Sequence, residues 1–237
     1  MDKKIIRITT ITLLIFSMLI FAVGLSRKGE KTTACAAVVN TDLNTVIIDP
    51  GHGGVDGGAV GVGGEVEKEI NLAISLKLRD ILEKAGYKVI MTRDTDISIH
   101  DESAKTIRAQ KTSDLHNRLK IINDNPDAVF ISVHQNTIGD RRVHGGQMFY
   151  SPNNACSKML AACIQDSFRE NVQPDNNKTV KQAGKNLFLL YNAQIPAVLC
   201  ECAFLSNAQD VKDICSEEYQ QKIAEAIFKG IENYLGR

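Results

Sequence analysis

The chain has no surplus of charge of either sign: 28 Lys and Arg balance 28 Asp and Glu over 237 residues. A chain without net charge projects no broad field toward a polyanion, so nucleic acid is excluded as a general partner and recognition has to be local. Internal repeats and low-complexity tracts are also lacking, which leaves no basis for a repeat array. What remains, 43% hydrophobic and 24% charged residues, is enough to bury one substantial core and points to one main domain.

A disulfide framework is the next thing the pattern lacks, although there are six cysteines. Cys156 and Cys163 fall on the apolar face of an expected helix, about 10 Å apart along its axis and too far to bridge. Cys200 and Cys202 alternate along an expected strand, both pointing away from Glu201 between them. All read as small buried hydrophobes with free thiols.

The amino terminus stands apart. Lys3, Lys4 and Arg7 precede an apolar stretch from Ile8 to Leu25, followed by Ser26-Arg27-Lys28, the layout of an export signal. As a helix the stretch spans about 27 Å, at the lower edge of membrane-crossing length. Residues 1–25 are therefore expected to act as a signal peptide or membrane anchor, with a retained anchor favoured because charged residues separate the apolar run from the small residues Ala34-Cys35-Ala36. The expected product is exported and extracytoplasmic. Residues 26–44 are polar and small and read as a linker.

From Thr45 onward, strand-like runs alternate with helical patterns. Strands are expected at 46–48, 88–92, 128–133, 146–150, 187–190 and 197–202. One helix is expected from Glu67 to Ala85, with Ile70, Ile74, Leu78, Ile81 and Ala85 on one stripe and Gly86 as its stop. Others carry Met159, Leu160, Ile164 and Phe168, then Tyr219, Ile223, Ile227, Ile231 and Tyr234, with a weaker one over 113–123. The charged stretch from Asp94 to Thr112 reads as a surface excursion near a site's edge. The alternation predicts an α/β fold: a single domain with a mostly parallel twisted sheet and helices on both faces. Ligands of such folds gather at the carboxyl ends of the strands.

Few ionisable residues fall there. His52 sits in Asp49-Pro50-Gly51-His52-Gly53-Gly54, which abruptly stops the run Val46-Ile47-Ile48; glycine allows close approach, and the imidazole suits a metal or a proton. His134 directly follows Phe130-Ile131-Ser132-Val133, and Glu201 closes Ala197-Val198-Leu199-Cys200. A fourth group comes from the helix after the glycine-rich loop, where Glu65, Glu67 and Glu69 compete. Helical geometry favours Glu67, which lies within roughly 40° of the apolar stripe, whereas Glu69 lies near 200°. Two imidazoles and a carboxylate match a catalytic zinc site with an open position, leaving Glu201 to manage protons. Each member also has a plain structural reading: a turn residue for His52, a helix-start carboxylate for Glu67.

At these residues the chain resembles the zinc-dependent N-acetylmuramoyl-L-alanine amidases of the Amidase_3 family. The resemblance rests on Asp49 to Gly54, Glu67-Lys68 with Asn71-Leu72, Thr92-Arg93, Ser132-Val133-His134-Gln135-Asn136, and Pro196 to Glu201 with Phe204-Leu205-Ser206-Asn207, in family order over residues 45–237. It implies one zinc ion on His52, Glu67 and His134, Glu201 as catalytic acid/base, and cleavage between N-acetylmuramic acid and L-alanine of peptidoglycan. Residues 45–237 would then be the zinc amidase catalytic domain. The expected partner is a glycan strand with its peptide stem, alongside the membrane if the leader is uncleaved and a possible activating protein. Family members often carry Arg where Lys178 stands, a change that removes bidentate contact there, and Cys202-Ala203 replace common glycines. The short build without wall-binding repeats looks like the germination-specific, CwlD-type branch of spore formers, whose action on cortex leads to muramic-δ-lactam.

Asn136, His144 and Lys178 are the candidate substrate contacts, with turn capping the alternative for Asn136. His100 and His116 are weighed as ligands and set aside, Arg93 and Arg118 are expected to fix loops near the site, and Ser206 and Asn207 to cap a short helix near Ala208. A zinc peptidase cutting within stem peptides and a non-catalytic wall-binding regulator are the competing functions.

Overall fold

A computed structural model describes residues 43–237. The expected leader and nearly all of the expected linker lie outside the described residues. Apolar runs rich in β-branched and aromatic residues form most of the strands β1 (Thr45–Pro50), β2 (Lys88–Met91), β3 (Ala128–Asn136), β4 (Gln147–Tyr150) and β6 (Ala197–Phe204), while the exposed pair β5 (Lys181–Gln182) is a strand only through its pairing with β4. They make one sheet in the order β2-β1-β3-β6-β4-β5. Every neighbouring pair is parallel except β4 with β6.

Helices α1 (Glu67–Lys84), α2 (Ile107–Asn123), α3 (Ser157–Asn171), α4 (Phe188–Asn192), α5 (Ala208–Ile214) and α6 (Glu217–Leu235) complete the domain. Strand side chains alternate between faces, and both faces are apolar because both are covered. On one, Ile122 of α2 and Leu189 and Leu190 of α4 join Ile47, Phe130, Ala197 and Leu199 in a buried cluster. On the other, α1 packs against β1 and β3, α3 against β4 and β6, and α6 against both helices. Fully buried Ile74, Leu78, Ile164, Phe168, Ile223 and Ile227 fill these contacts. The expected α/β domain is what forms. Among the described residues, no helix is long and apolar enough to cross a membrane.

The strand order positions the site. From β1 the chain crosses to β2 on one side, and from β3 it moves toward β6 and β4 on the other. The loops leaving β1 and β3 diverge, opening a crevice at the carboxyl ends of adjacent parallel strands, the switch point at which such sheets take ligands.

Several expectations need correction. Residues 187–190 are not a strand: the Tyr191 amide donates to the Leu187 carbonyl at 2.8 Å and that of Ala193 to Leu189 at 2.9 Å. A four-residue apolar run suits a buried helical turn as well as a strand. On α1 the buried stripe is Glu67, Ile70, Asn71, Ile74, Ser75, Leu78 and Leu82; Ile81 is only partly buried and Ala85 is exposed. The excursion is shorter than expected, since α2 begins at Ile107, capped by the Thr106 hydroxyl accepting from the Ala109 amide at 3.2 Å. Cys163, Cys200, Cys202 and Cys215 are free, but Cys156 is disulfide-bonded. It occupies the N-cap of α3 rather than a helical face, so reasoning from the helix stripe does not apply to it.

Candidate metal and catalytic site

The turn after β1 is held from outside by two arginines. Arg118 donates to Asp49 Oδ1 (2.6 Å), to the Pro50 carbonyl (2.9 Å) and to the His52 carbonyl (2.7 Å), while its Nε meets Asp114 Oδ2 at 2.7 Å. Arg93 takes the Pro50 and Gly51 carbonyls at 2.9 and 3.0 Å. Buried Asp49 also accepts from Thr92 and Ser132, both at 2.7 Å, joining β1 to its flanks. Burial alone would raise its carboxyl, but Arg118 and the two hydroxyls outweigh this and hold it below its ordinary value. Both arginines fix the loop, as the sequence suggested.

His52 is, among the described residues, the only non-glycine with positive φ, at 64°. That left-handed conformation is strained for a residue with a Cβ and persists where the surroundings impose it, commonly at functional sites. His52 Nδ1 lies 3.0 Å from Asp56 Oδ2, and Asp56 is paired with Lys111 at 2.7 Å. The other ring nitrogen, Nε2, is 3.2 Å from Glu67 Oε2.

Glu67 opens α1. The loop before it folds back over the helix start, so the Glu67 and Lys68 amides donate to the Ala59 and Gly57 carbonyls at 3.0 and 3.1 Å. The Glu67 carboxylate accepts from the Ala59 amide (2.8 Å), the Gln135 amide (3.1 Å) and Asn71 Nδ2 (3.3 Å). Its Oε1 is 2.9 Å from His134 Nδ1. Burial opposes its charge, yet the two imidazoles hold it well below the usual carboxylate range. Burial likewise works against charging His52, but Asp56 and Glu67 prevail and raise it to about 9. The pocket is thus strongly inviting to positive charge.

His52, Glu67 and His134 present ligand atoms within 4.8 Å of one another, a group able to hold a metal ion. The two rings sit edge to face with centroids 4.9 Å apart. Two glycines make the convergence possible. A Cβ at Gly51 would fall 2.2 Å from His134 Nε2, and one at Gly58, where φ is 71°, 2.5 Å from Glu67 Oε2 and 2.7 Å from His52 Cδ2. The glycines clear room for the ligating side chains themselves.

Glu201 completes the row. It pairs in register with His134 on β3 and with Gln147 on β4, so these three side chains share one face. Its Oε2 is buried without a hydrogen-bond partner, and burial, with help from Glu67, pushes the carboxyl up to about 7 against the pull of the histidines. A partly buried carboxyl poised near neutrality, beside a cation-seeking pocket, is equipped to exchange protons.

The remaining candidates separate. Asn136 and Lys178 line one groove beside β4, whereas His144 is exposed and meets Lys178 only through its carbonyl. The Asn136 carbonyl also accepts from the Leu205 amide at 2.7 Å. His100 is bound to Ser98 and His116 to the Thr112 carbonyl, away from the metal group. Asn207 caps α5 as expected, but the Ser206 hydroxyl instead accepts from the Ile138 amide at 3.2 Å. Sequence reasoning missed Asp56, Lys111 and Gln147. The aspartate's position four residues after His52, in the same glycine-rich loop, was the available signal for the first.

A doubly wound α/β domain with a His-Glu-His group able to hold a metal ion and a neighbouring carboxyl raised to about 7 has the equipment of a metal-dependent hydrolase. The family model for N-acetylmuramoyl-L-alanine amidase (Amidase_3) matches residues 46–233, and the chain belongs to this family. A germination-specific N-acetylmuramoyl-L-alanine amidase from Bacillus subtilis is 38% identical over 190 residues, covering 80% of this chain and 79% of the relative. Among solved structures, the CwlD amidase of Clostridioides difficile in complex with the GerS lipoprotein shares 42% identity at a TM-score of 0.78, over 81% of this chain and 98% of that one. The amidase AmiC2 of Nostoc punctiforme aligns with a TM-score of 0.70 at 30% identity, over 82% and 98%.

Proposed function

We propose that residues 45–237 form a catalytic domain that hydrolyses the amide between the lactyl group of N-acetylmuramic acid and L-alanine in peptidoglycan, using one zinc ion on His52, Glu67 and His134. The observation that carries this reading is the lone buried oxygen of Glu201, set in the same cross-strand row as His134. The donor set, two imidazoles and an ionised carboxylate within 4.8 Å, suits zinc, and two of the ligands are oriented by further contacts, His52 by Asp56 and Glu67 by the Ala59 and Gln135 amides. Bound there, zinc supplies Lewis acidity toward the scissile carbonyl and a lowered pKa for water.

The chain's own groups do the rest. Asp56 fixes the His52 tautomer so that Nε2 faces the pocket, and the Gln135 and Ala59 amides hold the Glu67 carboxylate in place. Glu201 accepts a proton at the reacting centre and returns it to the departing L-alanine nitrogen, which leaves as an amine. The resemblance to a germination-specific relative supports action on spore cortex that leads to muramic-δ-lactam, in the extracytoplasmic space. The complex of a relative with a lipoprotein supports a role for an activating partner here, with residues 1–25 as the link to the membrane.

Two substitutions separate the roles. Glu201→Gln is expected to keep full zinc by elemental analysis while activity on peptidoglycan drops by about 10²-fold or more, and His52→Ala to lose the metal. Near-normal turnover by Glu201→Gln would overturn its assignment.

A further inference from the structure

The members of the metal group come from three separate segments: His52 from the turn after β1, Glu67 from the start of α1 and His134 from β3. One side chain touches all three segments. Asn71 follows Glu67 by one helical turn, so the two share a face of α1, and it is fully buried. Its Nδ2 donates to the Gly51 carbonyl at 3.2 Å and to Glu67 Oε1 at 3.3 Å, while its Oδ1 accepts from Gln135 Nε2 at 3.1 Å. Gly51 directly precedes His52, and Gln135 directly follows His134. The amide of Asn71 can face only one way, since a carbonyl and an ionised carboxylate both accept and neither donates.

Each of these contacts constrains a ligand. The Gly51 carbonyl belongs to the peptide that enters His52, so its direction bears on the left-handed φ of 64° there; Arg93 grips the same oxygen at 3.0 Å. The bond to Glu67 is charge-assisted and joins the Gln135 amide on the same carboxylate oxygen. The bond from Gln135 ties β3 to α1 beside His134. Ser75 makes the contrast: one turn further along α1 and equally buried, its hydroxyl has no hydrogen-bond partner. We propose that Asn71, braced by Gln135, is a positioning residue that presets the spacing of His52, Glu67 and His134. The inference rests on the zinc reading of the site and deepens it, because part of the affinity for the ion then comes from a neutral amide outside the ligand set. Ligands ordered by folding lose less freedom on binding than ligands the ion must gather itself.

The test reads metal binding in the full chain, by zinc competition with a chromophoric chelator well below the melting temperature of each metal-free variant. Asn71→Leu is expected to weaken zinc binding by about 10- to 100-fold. Gln135→Met keeps its backbone amide on Glu67 and loses only the brace, so about a tenfold loss is expected. The double variant should bind no more weakly than Asn71→Leu alone, because the Gln135 side chain acts through Asn71. Ser75→Ala, at the buried hydroxyl without a partner, should match the parent. Cobalt(II) in place of zinc gives a visible spectrum that reports ligand geometry, and it should change in Asn71→Leu and Gln135→Met but not in Ser75→Ala. A packing role alone would lower the metal-free melting temperature and leave zinc affinity and the cobalt spectrum as in the parent. That outcome, or losses that multiply in the double variant, would overturn the proposal. If Asn71→Leu does not fold, Gln135→Met decides: parental zinc affinity there overturns it. A parent chain that binds no zinc would instead overturn the zinc reading itself, and the inference with it.

Discussion

Replacing Gly51 by alanine tests whether the glycine-rich loop shapes the metal group or merely turns the chain. The backbone at Gly51 is not in the left-handed region, so alanine meets no conformational penalty there. Its methyl would, however, fall 2.2 Å from His134 Nε2, 2.3 Å from Cε1 and 2.7 Å from Cδ2. Ordinary contact begins near 3.4 Å, so the ring must withdraw by about 1.2 Å or the loop must shift by as much. Overpacking of this size costs about 1–3 kcal/mol. A displacement of about 1 Å in a reacting constellation costs about 10²-fold in rate, and loss of ligand alignment weakens metal affinity by about 10- to 100-fold. Zinc affinity measured by competition with a chromophoric chelator, with melting temperature recorded on the same samples, reads both effects. Gly139→Ala is the control, because a Cβ there meets nothing within 4 Å, and it should match the parent in both. A Gly51→Ala chain with parental zinc affinity and parental turnover would refute the claim that this glycine makes room for His134.

Other perturbations follow from the contacts around the loop. Asp56→Asn removes the carboxylate from His52 Nδ1 and frees Lys111; zinc affinity should fall by about 10- to 100-fold, with the melting temperature of the metal-free chain nearly unchanged. Arg118→Met leaves the Asp49 and Asp114 carboxylates without their cation and should destabilise by about 3–5 kcal/mol in urea unfolding, while Arg118→Lys, which cannot reproduce the forked contacts, should recover only part. Acid unfolding offers a third check. The folded-state pKa of Asp49 lies below its ordinary 3.8, so its contribution is complete above that value and is lost as pH falls below it; Asp49→Asn should flatten the stability loss in that range.

His134 and Glu201 were legible because a titratable side chain in a buried apolar run is costly without a purpose; the sequence suggested that each closes its strand, whereas β3 continues to Asn136 and β6 to Phe204. Glu67 was separable from Glu69 because 100° per residue places only one of them toward the sheet; Glu67 is buried and Glu69 exposed. The role of Gly51 was not legible, because it depends on the distance between β1 and the His134 ring, which only pairing of β1 with β3 fixes. Asp56, Lys111 and Gln147 escaped for the same reason: each acts through a neighbour brought close by the fold. The Leu187–Leu190 error has a different origin, since a short apolar run without flanking periodicity has no preferred secondary structure. Cys156 shows the limit of stripe arguments at a helix boundary, where the residue belongs to the cap.

The most direct test of the central claim is mass spectrometry of the products released when the purified, zinc-loaded full chain is incubated with spore-cortex and vegetative peptidoglycan, with the expected activating partner supplied in parallel. The account predicts intact stem peptides bearing a new L-alanine amine and glycan strands with free lactyl carboxylates. Fragments cut between amino acids of the stem, or no released amine from either wall with zinc and partner present, would contradict it.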